Sequence, residues 1–383
     1  MIPDSRLQTV ISSMLAERIG AGDFASAVYV VAEGASVVFE DALGHAVLEP
    51  SQRRAATLET IYDLASLTKP LVTGLLCARR VERGELELDG SVARYLPEFD
   101  VEDKRDITLR QLLTHTSGLP AWRPLYILAG GERERALQAI LDQPLEAAPG
   151  ARVLYSDLGF ITLGFLLERM SGAPLASLAQ QEIFAPLNLL HTFFNPEMAM
   201  QTSVAACETG NAFERETCGA EQAAKYAGWR EHLIWGEVHD GNAHFLGGAA
   251  GHAGLFSTAR ETFKLAQQFL AGRTELLAPE TCVLFRTNMT EGMEEARSLA
   301  WQLAATKDST AGPLLPPDSF GHLGFTGTSC WTNPARERTF ILLTNRTHAH
   351  PLPFVNINST RRRFHTLAWE ALDERGAQDE LKR

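Results

Sequence analysis

A chain of 383 residues, 45% hydrophobic and 21% charged, has the make-up of a soluble globular protein, long enough for one large core or two smaller ones. A formal net charge of −12 works against general affinity for nucleic acid or anionic membranes, and no apolar run approaches the length of a membrane span. Five scattered cysteines (Cys77, Cys207, Cys218, Cys282, Cys330) are too few for a disulfide framework. Cys207 and Cys218 are spaced to close a loop, whereas free thiols are expected of a cytoplasmic chain.

In chain order, Met1–Gly22 reads as a charged amphipathic helix through Leu7, Val10, Ile11, Leu15 and Ile19. It lacks the basic, apolar, small-residue order of a signal peptide, which points to the cytoplasm, or to the periplasm only if the true N-terminus is missing. Two β-like runs, Ser26–Ala32 and Ser36–Leu43, flank Glu33-Gly34-Ala35 as a hairpin. A helix is expected from about Ser66 to Arg83, since Leu71/Leu75 and Val72/Leu76 repeat at i, i+4 and Gly84 closes the run. Further helices are expected at Thr108–Thr114, Glu132–Leu141, Asp157–Met170 and Pro174–Phe184, and a loop at Cys207–Tyr226. After the glycine-rich turn Gly247–Gly254, Thr258 and Glu261 suggest a capping box on a helix from Ala259 to Leu270. Strands return near Gly321–Thr328, Cys330–Asn333 and Thr339–Thr344, and Asn356–Leu372 reads as a last helix. The pattern is α/β (α+β): an antiparallel sheet flanked by helices, its strands at both ends of the chain (1–87 and 244–383), with an α-helical region inserted at 88–243.

Three stretches carry chemistry. Ser66 and Lys69, three apart on a helix, share a face, so the amine reaches the hydroxyl. At a first turn, free N–H groups and the positive end of the dipole surround the serine. A weak nucleophile, a nearby base and oxyanion donors are what covalent acyl transfer needs; a capping serine beside a solvated lysine is the plainer alternative. Tyr155, in Val153–Phe160, lies where a loop enters a helix and can project into a cleft, or simply pack that helix start, with Ser156 or Asp157 as its cap. In Phe320–Ser329, glycines alternate with side chains, which lets a substrate backbone approach and leaves N–H groups free, or marks a bulged edge strand.

Other residues read as structural. His239, Asp240, His244 and His252 lack a short helical His pair and are expected to rim the cleft rather than bind metal. His115 is expected to bond free carbonyls at a helix end, and Arg361-Arg362-Arg363 to form a solvated helix face.

Taken together, Ser66-Leu-Thr-Lys69, Tyr155-Ser-Asp157 and His322-Leu-Gly324 resemble the Ser-x-x-Lys, Ser-Asp-Asn and Lys-Thr-Gly set of the penicillin-recognising serine hydrolases. More narrowly, the chain resembles the class C β-lactamase-like family, which includes D-Ala-D-Ala carboxypeptidases and esterases. Gly84–Asp89, Leu112–Pro120, Gly247–Thr258 and Leu343–Arg346 extend the likeness from about Ala27 to Thr347. The resemblance implies a sheet part and an all-α part with the active site between them. It implies Ser66 as nucleophile, Lys69 as its activating partner and Tyr155 as the proton exchanger. The Ser66 and Phe325 N–H groups would form the oxyanion hole, and Asp157, His322 and Gly324 would contact substrate. No metal or organic cofactor is implied. The expected partner is a small or peptide-like acyl substrate, with oligomeric state open.

Two departures bear on substrate. Asp157 stands where many β-lactamases carry asparagine; an ionised aspartate only accepts hydrogen bonds, and it favours an ammonium on Lys69. A cationic Lys69 would lower the Tyr155 pKa and make the tyrosine the readier base. His322, in place of lysine, weakens the fixed positive charge at neutral pH. The expectation is a serine hydrolase working through an acyl-enzyme on esters or D-amino-acid peptides. A β-lactamase, or a non-catalytic binding or assembly protein of the same fold, is the alternative.

Overall fold

The computed structural model describes residues 5–381. Its ten strands are β1 (Ser26–Glu33), β2 (Ser36–Val47), β3 (Arg54–Ala55), β4 (Tyr62–Asp63), β5 (Phe193–Phe194), β6 (Leu255–Ser257), β7 (Gln302–Leu303), β8 (Phe320–Leu323), β9 (Ser329–Asn333) and β10 (Arg338–Thr344). Seven of them form one antiparallel sheet in the order β3-β2-β1-β10-β9-β8-β7. β1 and β10 meet near its centre, with Val28 opposite Leu343 and Val30 opposite Ile341.

Strand periodicity sends alternate side chains to opposite faces, and here both faces are covered. Val28, Val30, Ile341 and Leu343 face a core shared with Leu71, Leu75 and Phe263. Ala27, Tyr29, Val31, Phe340 and Leu342 face the other side, where Leu7, Ile11 and Leu15 of the helix Ser5–Gly20 meet Phe364, Ala368 and Leu372 of the helix Asn358–Leu381. Burial on two faces explains why the central strands are nearly unbroken apolar runs. Each fully buried Leu or Ile contributes roughly 1.5–3 kcal/mol.

The helices that follow β4 are set by local signals. Thr108 and Gln111 make a reciprocal capping box on Leu109–Leu113. Ser156 caps Asp157–Ser171 by accepting from Gly159 N–H, and Gly172 ends that helix at φ 67°. Thr258 caps Ala259–Ala266 as expected, but Glu261 turns away to accept from Leu190, His191 and Thr192. The segment expected as a loop at Cys207–Tyr226 contains a helix, Ala212–Ala223, interrupted at Gly219 (φ 73°). It buries only Glu214 and Ala223, so it has no apolar stripe to betray it.

A small second sheet, β4-β6-β5, ties the chain entering Ser66 to the glycine-rich turn and to the helical segment. Among the described residues no helix is long and apolar enough to cross a membrane.

Candidate active site

The expected helix from Ser66 is three structures in series: a 3₁₀ turn Ala65–Leu67, a π turn Lys69–Gly74, and an α-helix Leu75–Glu82. Pro70 has no N–H to give to the α ladder, and such widened turns gather at functional sites. Ala65, just before the serine, has φ 48°, a left-handed conformation that costs a non-glycine residue energy and must be held in place. The restraints are visible. Asp63 Oδ1 accepts from Ala65 N–H at 2.8 Å, Thr68 Oγ1 donates to the Ala65 carbonyl at 2.7 Å, and Leu64 N–H donates to Leu255. This strained corner turns the Ser66 side chain toward the cleft, which it lines.

Lys69 is 0% exposed, and its ammonium is fully engaged. Nζ donates to Ser66 Oγ at 2.9 Å and to the His252 carbonyl at 3.2 Å, and lies 2.6 Å from Asp157 Oδ1. Burial works against the charged form, but Asp157 and Tyr155 outweigh it and raise the Lys69 pKa. Tyr155 is half-buried, its hydroxyl beside Lys69 and Ser66, with Lys69 Nζ 4.9 Å from the ring centre. Burial raises the Tyr155 pKa; Lys69 lowers it as expected but only partly offsets the burial, so the net shift is upward. At neutral pH the pair therefore rests as ammonium and phenol.

His115 does not serve a helix end with its side chain. Its Nδ1 accepts from Ser156 N–H at 3.0 Å, its carbonyl accepts from Leu154 N–H, and its ring lies 4.4 Å from that of Tyr155. Buried beside Arg297 and Lys69, it is held well below its ordinary pKa and is neutral. It fixes the Tyr155 segment from behind.

The opposite wall is β8 and the turn that follows. Gly324 N–H donates to the Thr328 carbonyl, while Thr326 and Thr328 hydroxyls donate to the Asp63 and Leu64 carbonyls at 2.7 and 3.0 Å, locking this turn onto the Ser66 corner. The reason for Gly324 lies inside the protein: a Cβ there would sit 2.0 Å from Thr328 Oγ1 and 2.5 Å from the Leu64 carbonyl. No protein acceptor takes the Phe325 N–H among the described residues. His322 is buried; burial, Lys69 and Arg297 hold its pKa well below the ordinary value, so the imidazole is neutral. Its Nδ1 is satisfied by the Leu323 backbone, leaving Nε2 without a partner among the described residues.

The positive charge is elsewhere. Arg361, expected on a solvated face, is buried, and donates through Nη2 to the Gly324 and Thr328 carbonyls at 2.7 and 2.9 Å. Only Arg363 of the triplet is exposed. The sequence held a signal: Arg361, Phe364, His365, Ala368 and Leu372 fall on one helical stripe. Arg346 holds the Phe325 carbonyl, and Arg297 lies 5.4 Å over the Tyr155 ring.

All seven proposed site residues border or reach a cleft of about 680 Å³; Lys69, beneath Ser66, is reached through it. Trp122, Phe213 and Phe325 give it an apolar side, and the Ala212–Ala223 helix adds Glu214, whose pKa burial and Asp240 push up to about 7. The atoms of Asp157, Asp240 and His252 come within 4.8 Å of one another. Asp157 already faces Lys69, and His252 Nε2 lies 2.9 Å from Asp240 Oδ1, so these groups answer charges of the protein itself. His239 instead pairs with Glu208 at 2.9 Å, and His244 lies 3.6 Å from Glu237.

The Beta-lactamase family profile matches residues 11–360. A protein of Escherichia coli (strain K12), provisionally named D-alanyl-D-alanine carboxypeptidase, is 33% identical over 316 residues, covering 77% of this chain and 71% of that one. Among solved structures, EstCE1, "a hydrolase with promiscuous acyltransferase activity", superposes with TM-score 0.73 at 21% identity over 97% of this chain and 99% of its own. A class C β-lactamase from Rhodobacter sphaeroides does so with TM-score 0.70 at 17% identity, over 95% and 99%.

Proposed function

The chain belongs to the β-lactamase family, and from that premise we propose that it hydrolyses ester or amide bonds through an acyl-enzyme on Ser66. The observation that carries this reading is the contact of Ser66 Oγ with a buried ammonium, Lys69, beside Tyr155, in a cleft also lined by Phe325, whose N–H has no acceptor among the described residues. Ser66 Oγ attacks the substrate carbonyl carbon, and the Ser66 and Phe325 N–H groups receive the charge that develops on the carbonyl oxygen. The serine proton passes to the Lys69/Tyr155 pair once that pair has lost one proton, and then to the departing alcohol or amine as its bond to carbon breaks. Water repeats the sequence on the ester of Ser66 and frees the enzyme.

Substrate class follows from the walls. Asp157, 2.6 Å from Lys69 Nζ, accepts there and offers no amide donor to an acyl-amide carbonyl, and His322 is neutral. Simple carboxylic esters need neither group, and the apolar side at Trp122 and Phe213 suits their acyl portion. A carboxypeptidase acting on D-alanyl peptides is the second reading, favoured by the 33% identical relative and by the unneutralised Arg361 on the cleft wall. Side-by-side turnover of p-nitrophenyl esters, a D-Ala-D-Ala peptide and nitrocefin, with Ser66→Ala as the control, tests both. Ester turnover well above nitrocefin turnover, lost in Ser66→Ala, is expected. Nitrocefin turnover that outpaces the esters would contradict the ester reading, and full activity in Ser66→Ala would contradict the mechanism.

A further inference from the structure

Arg361 and Arg346 are two cations with no carboxylate partner among the described residues. Burial and Arg346 bring the Arg361 pKa to about 9, and burial brings that of Arg346 to about 10, so both remain charged at neutral pH. Arg361 Nη1 donates to Asn358 Oδ1 and Arg346 Nη1 to the Val355 carbonyl; their other hydrogen bonds go to backbone carbonyls of the turn that presents the free N–H. Arg361 Nη2 donates to Gly324 O at 2.7 Å and Thr328 O at 2.9 Å, and Arg346 donates to Phe325 O at 3.1 Å through Nε and 2.7 Å through Nη2. Gly324 C=O and Phe325 N–H belong to one peptide unit. A cation bonded to that carbonyl draws electron density along the unit and makes its N–H a stronger donor, because bonded dipoles in a poorly solvated site reinforce one another.

Resting on the serine-hydrolase reading above, we propose that Arg361, with Arg346 holding the next carbonyl of the turn, is a positioning residue for the oxyanion site: its guanidinium aims and polarises the Gly324–Phe325 peptide toward the reacting carbonyl oxygen. The geometry has the three parts this requires. The guanidinium lies behind the donor, the Thr326 and Thr328 hydroxyls lock the same turn to the Ser66 corner, and no acid quenches the charge. The competing role, direct capture of a substrate carboxylate, would matter only for substrates that carry one.

The test uses a neutral p-nitrophenyl ester and a neutral fluorophosphonate on the full chain, with Arg361→Met and Arg361→Lys beside the wild type. Loss of a direct oxyanion donor costs about 10²–10³ in kcat, so weakening one donor through its peptide should cost about tenfold. The Met variant is expected to lose about tenfold in kcat and in labelling rate together, with KM within about twofold. The Lys variant, which keeps the charge, should fall between. Should the Met variant not fold, the Lys variant and partial rescue of Arg361→Ala by methylguanidinium carry the same readout. Unchanged kcat and labelling on these neutral reagents, with loss confined to carboxylate-bearing substrates, would overturn the proposal. A wild type that neither labels nor turns over would remove the Ser66 reading and this proposal with it; labelling of the wild type with equal labelling of the variants removes this proposal alone.

Discussion

The Lys69–Asp157 contact decides the resting state of the chemistry. An ammonium that gives its protons to Ser66, His252 and Asp157 has none of its base character left, and burial keeps Tyr155 a phenol. On the proposed mechanism the active form of the pair is one proton poorer, whichever group holds the remaining proton. Activity as kcat/KM should therefore rise with pH along an acid limb set by that deprotonation. Asp157 raises the Lys69 pKa, so Asp157→Asn lowers it and should move the limb to lower pH, by about one unit if the differential interaction is about 1.4 kcal/mol. The amide also restores a donor, so turnover of amide-bearing substrates should gain relative to simple esters. Ser156, not Asp157, caps the helix, so a capping loss does not enter. An unmoved limb with unchanged selectivity would take Asp157 out of the mechanism.

At the scale of elements, the site is assembled where the Ser66 corner meets the turn after β8. Ser66, Lys69, Tyr155 and Asp157 were legible because their relations are local: a three-residue spacing, a loop entering a capped helix. Arg297 and Glu214 were not, because nothing near them in the chain announces that they line a cleft, whereas His239 and Asp240 do line it as expected. Arg361 was misread because a run of arginines looks solvated until the stripe beneath it is noticed. The helix at Ala212–Ala223 was hidden by Gly219 and by its lack of an apolar face. The glycines of the β8 stretch were read as room for substrate, whereas Gly324 makes room for Thr328 and Leu64. Gly324→Ala should push the turn off the Ser66 corner, costing about 1–3 kcal/mol of stability and lowering kcat more than it raises KM. Melting curves and ester kinetics check this, and a variant with wild-type stability and turnover would show that the two turns need not touch so closely.

Across the whole molecule, the strands of the seven-stranded sheet lie toward both ends of the chain and pair at β1 and β10, while the segment between them supplies Tyr155, Phe213 and Glu214 to the cleft. The cleft couples to stability through Glu214, buried and hydrogen-bonded to Tyr126 and to Gly241 N–H. Its folded pKa, about 7, stands above the ordinary carboxyl value of 4.5, so between those pH values the folded state holds a proton that the unfolded state has released. Stability should fall as pH rises through that window. Glu214→Gln, which can keep both hydrogen bonds, should flatten the fall and melt higher than wild type at pH 8; an equal pH dependence in both proteins would refute that assignment. The central claim is that Ser66 is the group acylated in this cleft. Mass spectrometry of the protein after reaction with a fluorophosphonate tests it most directly. The account predicts one adduct on the peptide carrying Ser66, absent in Ser66→Ala and slowed at low pH, whereas an adduct on another residue, or equal labelling of Ser66→Ala, would contradict it.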